Sequence, residues 1–210
     1  MKKIICLLLT TALLASCGKL DPIPPKTNSV NVNVPGTSNP YLAGMPNGTT
    51  ASGAVDIAPA QSPVLVPIAL LSGGWIEASN VTGSVNYASG LPLVGPEGSD
   101  VCSHSVGAEH GKSNVIAPCN SLIGVFLDND IPTGKVPPDE LDFTSQATRD
   151  YLEFHPKLKQ VFFIGDGKTS GGTQQKLYIP QGATRLFLGT MDGYGWYNNE
   201  GAFKAAITQK

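Results

Sequence analysis

Residues 185–207 read RLFLGTMDGYGWYNNEGAFKAAI. The stretch opens on an apolar run, Arg185 to Leu188, and closes on a second, Ala202 to Ile207, each of strand length and composition. Between them, from Gly189 to Phe203, the chain gathers Asp192, Asn198 and Asn199 with Gly193, Gly195 and Gly201 and with the rings of Tyr194, Trp196 and Tyr197. Two apolar segments joined by such a loop belong to a β-sheet. Hard oxygen donors on a glycine-bearing loop suit calcium, which takes about six to eight oxygens and needs backbone that can curl to aim its carbonyls inward. Asp, Asn and Gly are also ordinary turn formers, so composition alone leaves a plain turn open.

The same alternation continues toward the N-terminus. Val64 to Leu71 reads as a buried strand that turns through Ser72, Gly73 and Gly74 into Trp75 and Ile76. Leu122 to Leu127, Val161 to Ile164 and Lys176 to Ile179 are further strands, and only Ser145 to Phe154 reads as a helix, ended by Pro156. With 14% charged and 41% hydrophobic residues, 24 Gly and 17 Pro, the chain is lean in charge and rich in turns, which argues against a helical bundle. Residues 63–210 are thus expected to form one all-β domain, a β-sandwich or jelly roll with one short helix, large enough for a sizeable core.

The N-terminus carries an address. Lys2 and Lys3 precede an apolar run from Ile4 to Leu14, too short to span a bilayer, and residues 1–16 read as a secretory signal. Leu14, Ala15, Ser16 and Cys17 resemble the lipobox of bacterial lipoproteins, which implies cleavage before Cys17 and acylation of that residue. Several acyl chains on one residue anchor permanently. Gly18 stands where retention in the inner membrane shows Asp, which points to an outer-membrane lipoprotein. Loss of residues 1–16 removes two lysines and no acid, so the formal charge moves from -2 to -4, and such a domain has no electrostatic reason to seek nucleic acid. From residue 17 to about residue 62, prolines interleaved with Asn, Ser, Thr and Gly read as a mobile tether, with an edge strand from Val30 to Val34 as the alternative. In an oxidising compartment Cys102 and Cys119 are expected to pair, a loop closure that contributes roughly 3 kcal/mol.

The run Tyr197-Asn198-Asn199-Glu200-Gly201-Ala202-Phe203, preceded by Asp192, resembles the closing loop and strand of the small calcium-dependent galactophilic lectins of bacteria, which have a galactose-binding-like jelly roll. Ala69 to Ala78, Gly95 to Gly98 and Cys119 to Leu127 follow in the same order. The chain is also similar to uncharacterised exported bacterial proteins that end in such a segment. The resemblance implies that Asp192, Asn198 and Asn199 hold Ca2+ through their side chains, that Gly195 adds a carbonyl, and that a second carbonyl comes from the turn after Trp75, near Ala78. The ion would in turn chelate two vicinal hydroxyls of a carbohydrate, a galactoside in the lectins. His104 and Glu109 would line the sugar pocket with Tyr194 and Trp196. The spacing from Asp192 to Asn198 is one residue shorter than in the lectins, and residues 128–159 are an insertion.

Other signals carry less. In Gly165-Asp166-Gly167-Lys168-Thr169 the earlier glycine of a phosphate loop is replaced by Phe162. Asp128-Asn129-Asp130 starts like a calcium loop, but Thr133 and Asp139 stand at its Gly and Glu positions. His104, His110 and His155 lack the spacing of a metal helix, and no G-x-S-x-G elbow occurs. The reading is a membrane-anchored, calcium-dependent carbohydrate-binding lipoprotein rather than an enzyme. A structural or protein-interaction lipoprotein is the second reading, and a surface glycosidase built on a pair such as Asp192 and Glu200 the third.

Overall fold

The computed structural model describes residues 28–210; the signal segment and Cys17 lie outside the described residues. The strands are β1 (Asn28–Pro35), β2 (Thr50–Ala51), β3 (Asp56–Ile57), β4 (Val64–Leu65), β5 (Trp75–Asn86), β6 (Val101–Ser103), β7 (Val115–Pro118), β8 (Leu122–Leu127), β9 (Leu141–Asp142), β10 (Glu153–Phe154), β11 (Val161–Phe163), β12 (Lys176–Tyr178), β13 (Arg185–Thr190) and β14 (Glu200–Gln209), with one helix, α1 (Gln146–Arg149). One sheet has the order β1-β14-β5-β12-β10 and a second the order β11-β8-β13-β4. Inward residues of both, among them Ile76, Phe203 and Ile207 from the first and Ile123, Phe126 and Phe162 from the second, form a single core. The protein is therefore nearly all β and built like a β-sandwich.

Residues 28–62, expected as tether, are part of the fold. The alternation of Asn and Val from Val30 to Val34 is a period-two pattern: Val32 and Val34 are buried while Asn31 and Asn33 face solvent. β1 pairs antiparallel with β14 along its whole length, from Asn28 opposite Gln209 to Pro35 opposite Ala202. Its prolines serve structure. Pro35 ends an edge strand, where a missing N–H costs nothing. Pro40 opens a 3-10 turn, Pro40–Leu42, whose cap is Asn39 accepting a 2.8 Å hydrogen bond from the Tyr41 N–H. Tyr41 and Leu42 are fully buried. Gly36 is required because a Cβ there would lie 2.6 Å from the carbonyl oxygen of Glu200.

Two other expectations change. The strand expected from Val64 to Leu71 stops at Leu65, because Pro67 cannot donate to a ladder; Leu71 ends exposed. The helix expected over residues 145–154 is only α1, capped by Ser145, and its second half becomes β10, parallel to β12. β5 runs on to Asn86, far past Ala78, because it lies between β14 and β12 and pairs with both. Cys102, in β6, and Cys119, the residue after β7, form a disulfide beside the pairing of these two strands.

Candidate metal and ligand site

Four strand ends converge where the 191–199 loop sits. β13 ends at Thr190 opposite Leu122, the first residue of β8, and β14 begins at Glu200 opposite Asn86, the last of β5. The loop is fastened on each side. The Met191 N–H donates to the Ser121 carbonyl at 2.9 Å, and the Asn120 N–H donates to the Met191 carbonyl at 2.7 Å. Further along, the Glu200 N–H donates to Asn86 Oδ1 at 2.8 Å. Gly195, with φ of 79°, turns the chain into the 3-10 turn Trp196–Asn198.

That turn is held by a residue the sequence did not point to. Asp56 is fully buried, and its Oδ2 accepts from the Trp196 N–H at 3.0 Å and from Asn39 Nδ2 at 2.9 Å, while its Oδ1 accepts from the Tyr197 N–H at 2.9 Å. A carboxylate at the start of the turn thus satisfies two N–H groups that helical geometry leaves free. No motif marks Asp56, and it lies in the segment read as tether.

The three side chains expected to hold an ion all lie on this loop. Asp192 Oδ1 accepts from the Tyr194 N–H at 3.1 Å, but its Oδ2 is buried with no hydrogen-bond partner. Asn199 Nδ2 donates to the Gly36 carbonyl at 3.1 Å, which fixes the amide and leaves its Oδ1 buried and unpaired. Asn198 Oδ1 is buried and unpaired as well. The oxygens of Asn120 and Ser121, the residues that fasten Met191, are in the same condition; the remaining unpaired buried oxygen belongs to Gln175. Native proteins leave few buried oxygens without a donor, because each costs about 1–3 kcal/mol. Burial pushes the Asp192 carboxyl above its ordinary range, and the nearby Asp56 carboxylate adds to this, against the hydrogen bond from the Tyr194 N–H. The oxygens of Asp192, Asn198 and Asn199 are of the kind that a cation takes, and none of these residues brings a competing positive charge. Among the described residues no three His, Cys, Asp or Glu side chains form a metal cluster, so this set is one carboxylate with neutral oxygens.

Ala78 is not part of it. It faces Ile207 near the other end of β14, eight residues from Asn199, or roughly 25 Å along a strand. Because β5 is long, the turn that follows it starts at Tyr87, and Tyr87 supplies the main chain at this end. Tyr87, Leu91, Pro92, Val94, Asp100 and Asn120 line a shallow hollow of about 230 Å³ there.

Of the expected sugar contacts, Tyr194 is exposed and Trp196 is not. Trp196 is fully buried, and its indole N–H donates to the Thr190 carbonyl at 2.8 Å, so it anchors the loop. His104 is also buried, stacked on Tyr41 with ring centroids 4.0 Å apart. Its Nδ1 lies 3.2 Å from the Gly193 carbonyl and its Nε2 3.0 Å from Glu109 Oε2. Burial works to raise the Glu109 carboxyl, but the His104 hydrogen bond and the Ser52 N–H outweigh it and hold the group below the usual carboxylate range. His104 and Glu109 therefore support the loop from behind rather than lining a pocket.

The set-aside motifs find structural roles. Asp128 lies 3.6 Å from Lys159 Nζ and 4.0 Å from Lys135 Nζ, so lysines take the place a second cation would need. A hollow of about 580 Å³ is lined by Glu97, Arg149, Asp166, Lys168 and Ser170, among others. Its 165–173 turn spends its N–H groups internally: Gly167 on Ile164, Lys168 on Asp166, Thr169 on Thr173 and Gly172 on Thr169. A phosphate cradle needs those donors free. No protein-family model matches the chain, and no curated protein matches it.

Proposed function

We propose that the protein is a calcium-dependent carbohydrate-binding lipoprotein of the outer membrane, held by lipid on Cys17, with a jelly roll of the galactose-binding type. The observation that carries this reading is that the three side chains named from the sequence as ligands, Asp192, Asn198 and Asn199, each present a buried oxygen without a partner at one end of the sandwich. With carbonyls from Gly195 and from the turn at Tyr87 they make an oxygen set suited to calcium. The bound ion would supply a positive centre for a sugar's vicinal hydroxyls. Around it, Asp56, His104 and Trp196 hold the loop in one shape, and the hollow beside Tyr87 offers apolar side chains to the C–H face of a pyranose.

Burial of His104 and Trp196, with Glu109 engaged by His104, removes three of the four expected sugar contacts and supports the second reading, an interaction lipoprotein whose ion site is structural. Two measurements separate them. A ligand that binds only the folded state raises its melting temperature, so calcium should do so against chelator, and an unchanged melt would remove the ion. A glycan array in calcium should then light up on galactosides or other vicinal diols, and silence there with an intact calcium shift would leave the structural reading.

A further inference from the structure

The end of the molecule opposite the ion loop carries its own surface, and the chain that leads to the lipid emerges there. β14 spans the sandwich from Glu200, beside Asn199, to Gln209, beside Asn28, a length of about 30 Å. Between Cys17 and Asn28 lie only residues 18–27. Ten residues reach at most about 36 Å when fully extended. A lipid on Cys17 therefore keeps the Asn28 end within a domain's breadth of the bilayer, where even a weak contact gains from the high effective concentration.

Across that end the sheet register sets Asn28, Gln209, Ile76 and Leu177 side by side, so the next residues outward, Lys210, Trp75 and Tyr178, form a row. Trp75 and Tyr178 are half-buried with ring centroids 6.0 Å apart, and the exposed His155 stacks on Tyr178 at 4.1 Å. Leu71 is 64% exposed beside them; its carbonyl accepts from the Gly74 N–H, and its N–H donates to Gln209. Lys176 Nζ sits 5.4 Å from the centre of the Trp75 ring. Trp and Tyr favour the level of lipid headgroups, and lysines beside them extend their ammonium groups outward to water. The charges are matched, Lys210 with Glu77 at 2.9 Å and Lys176 with Glu153 at 3.0 Å, so the surface does not call for an anionic membrane.

We propose that Leu71, Trp75 and Tyr178 rest in the headgroup region of the leaflet that holds the Cys17 lipid, so that the ion loop faces away from that membrane. The inference rests on the lipoprotein reading above and goes beyond it. Its ligand would belong to whatever lies opposite that leaflet.

The test uses the mature protein extracted from membranes and returned to phosphatidylcholine vesicles with ordinary or brominated acyl chains. Mass measurement of the N-terminal fragment decides separately whether Cys17 is acylated. The chain has two tryptophans, and Trp196 is buried in the core, so loss of emission in brominated vesicles reports Trp75. The expected result is quenching that high salt leaves unchanged, that Trp75→Phe abolishes, and that Leu71→Asp abolishes while the protein stays on the vesicles with an unaltered melt. An acylated, vesicle-bound protein without quenching overturns the contact and leaves the lipid standing. Quenching that survives Leu71→Asp overturns the assigned face, and an unmodified Cys17 overturns both readings.

Discussion

Asp56 is fully buried and accepts hydrogen bonds from three donors, two of them the N–H groups of Trp196 and Tyr197. Asp56→Ala strands those donors, so chemical denaturation should show a loss on the order of 3 kcal/mol and a weaker calcium response, since the loop loses its frame. Asp192 should behave in the opposite way. Its folded carboxyl is raised by burial, so the folded chain holds that proton more tightly than the unfolded chain, and stability falls as pH rises from the ordinary carboxylate range through the raised value. Asp192→Asn should therefore stabilise the calcium-free protein and abolish the calcium-dependent rise in melting temperature. A calcium rise that persists in Asp192→Asn would place the ion elsewhere.

At the scale of the element, β1 and the 3-10 turn after it decide where the domain begins. Val32, Val34, Tyr41 and Leu42 are buried, and β1 supplies the outer partner of β14, the strand that leads out of the 191–199 loop. A chain cut to residues 63–210 should fail to give native circular dichroism or a cooperative melt, because these side chains and a whole ladder of backbone hydrogen bonds are lost together. The elements legible in sequence were those with a continuous apolar signal. Leu122 to Leu127 is wholly buried and β8 has those bounds; β13 and β14 extend the expected segments by a few residues at their ends. β5 was legible only at Trp75 and Ile76, since its middle, from Ser79 to Ser84, is polar or glycine except for Val81 and gains its strand geometry from β14. The 145–154 segment split because its residues are mostly exposed and nothing packs a longer helix.

Across the whole molecule, Lys112 ties the N-terminal segment to the body. Its side chain is fully buried, and Nζ donates to the carbonyls of Ala43 and His110, both at 3.1 Å. Among the described residues it has no acid within ion-pair distance, and burial pushes it down to about 7. Below that value the folded protein carries a buried charge. Between about 7 and the ordinary lysine value of 10.5 the unfolded chain keeps a proton that the folded chain has shed, so stability rises with pH through that window, by a few kcal/mol to order of magnitude. Urea midpoints from pH 7 to 10 should climb in the wild type and stay flat in Lys112→Met.

The sequence by itself determined the strand-rich class and the pairing of Cys102 with Cys119, because strand periodicity is a local signal carried by a few neighbouring positions and two cysteines in an oxidising compartment have one partner each. Only the tertiary structure decided that residues 28–62 belong to the fold and that Ala78 lies far from the loop. It also decided that His104, Glu109 and Trp196 stand behind the site and that Asp56 frames it. Each of those depends on which strand lies beside which and how far it runs. Such pairings are settled by long-range burial and register, which no short window of residues encodes.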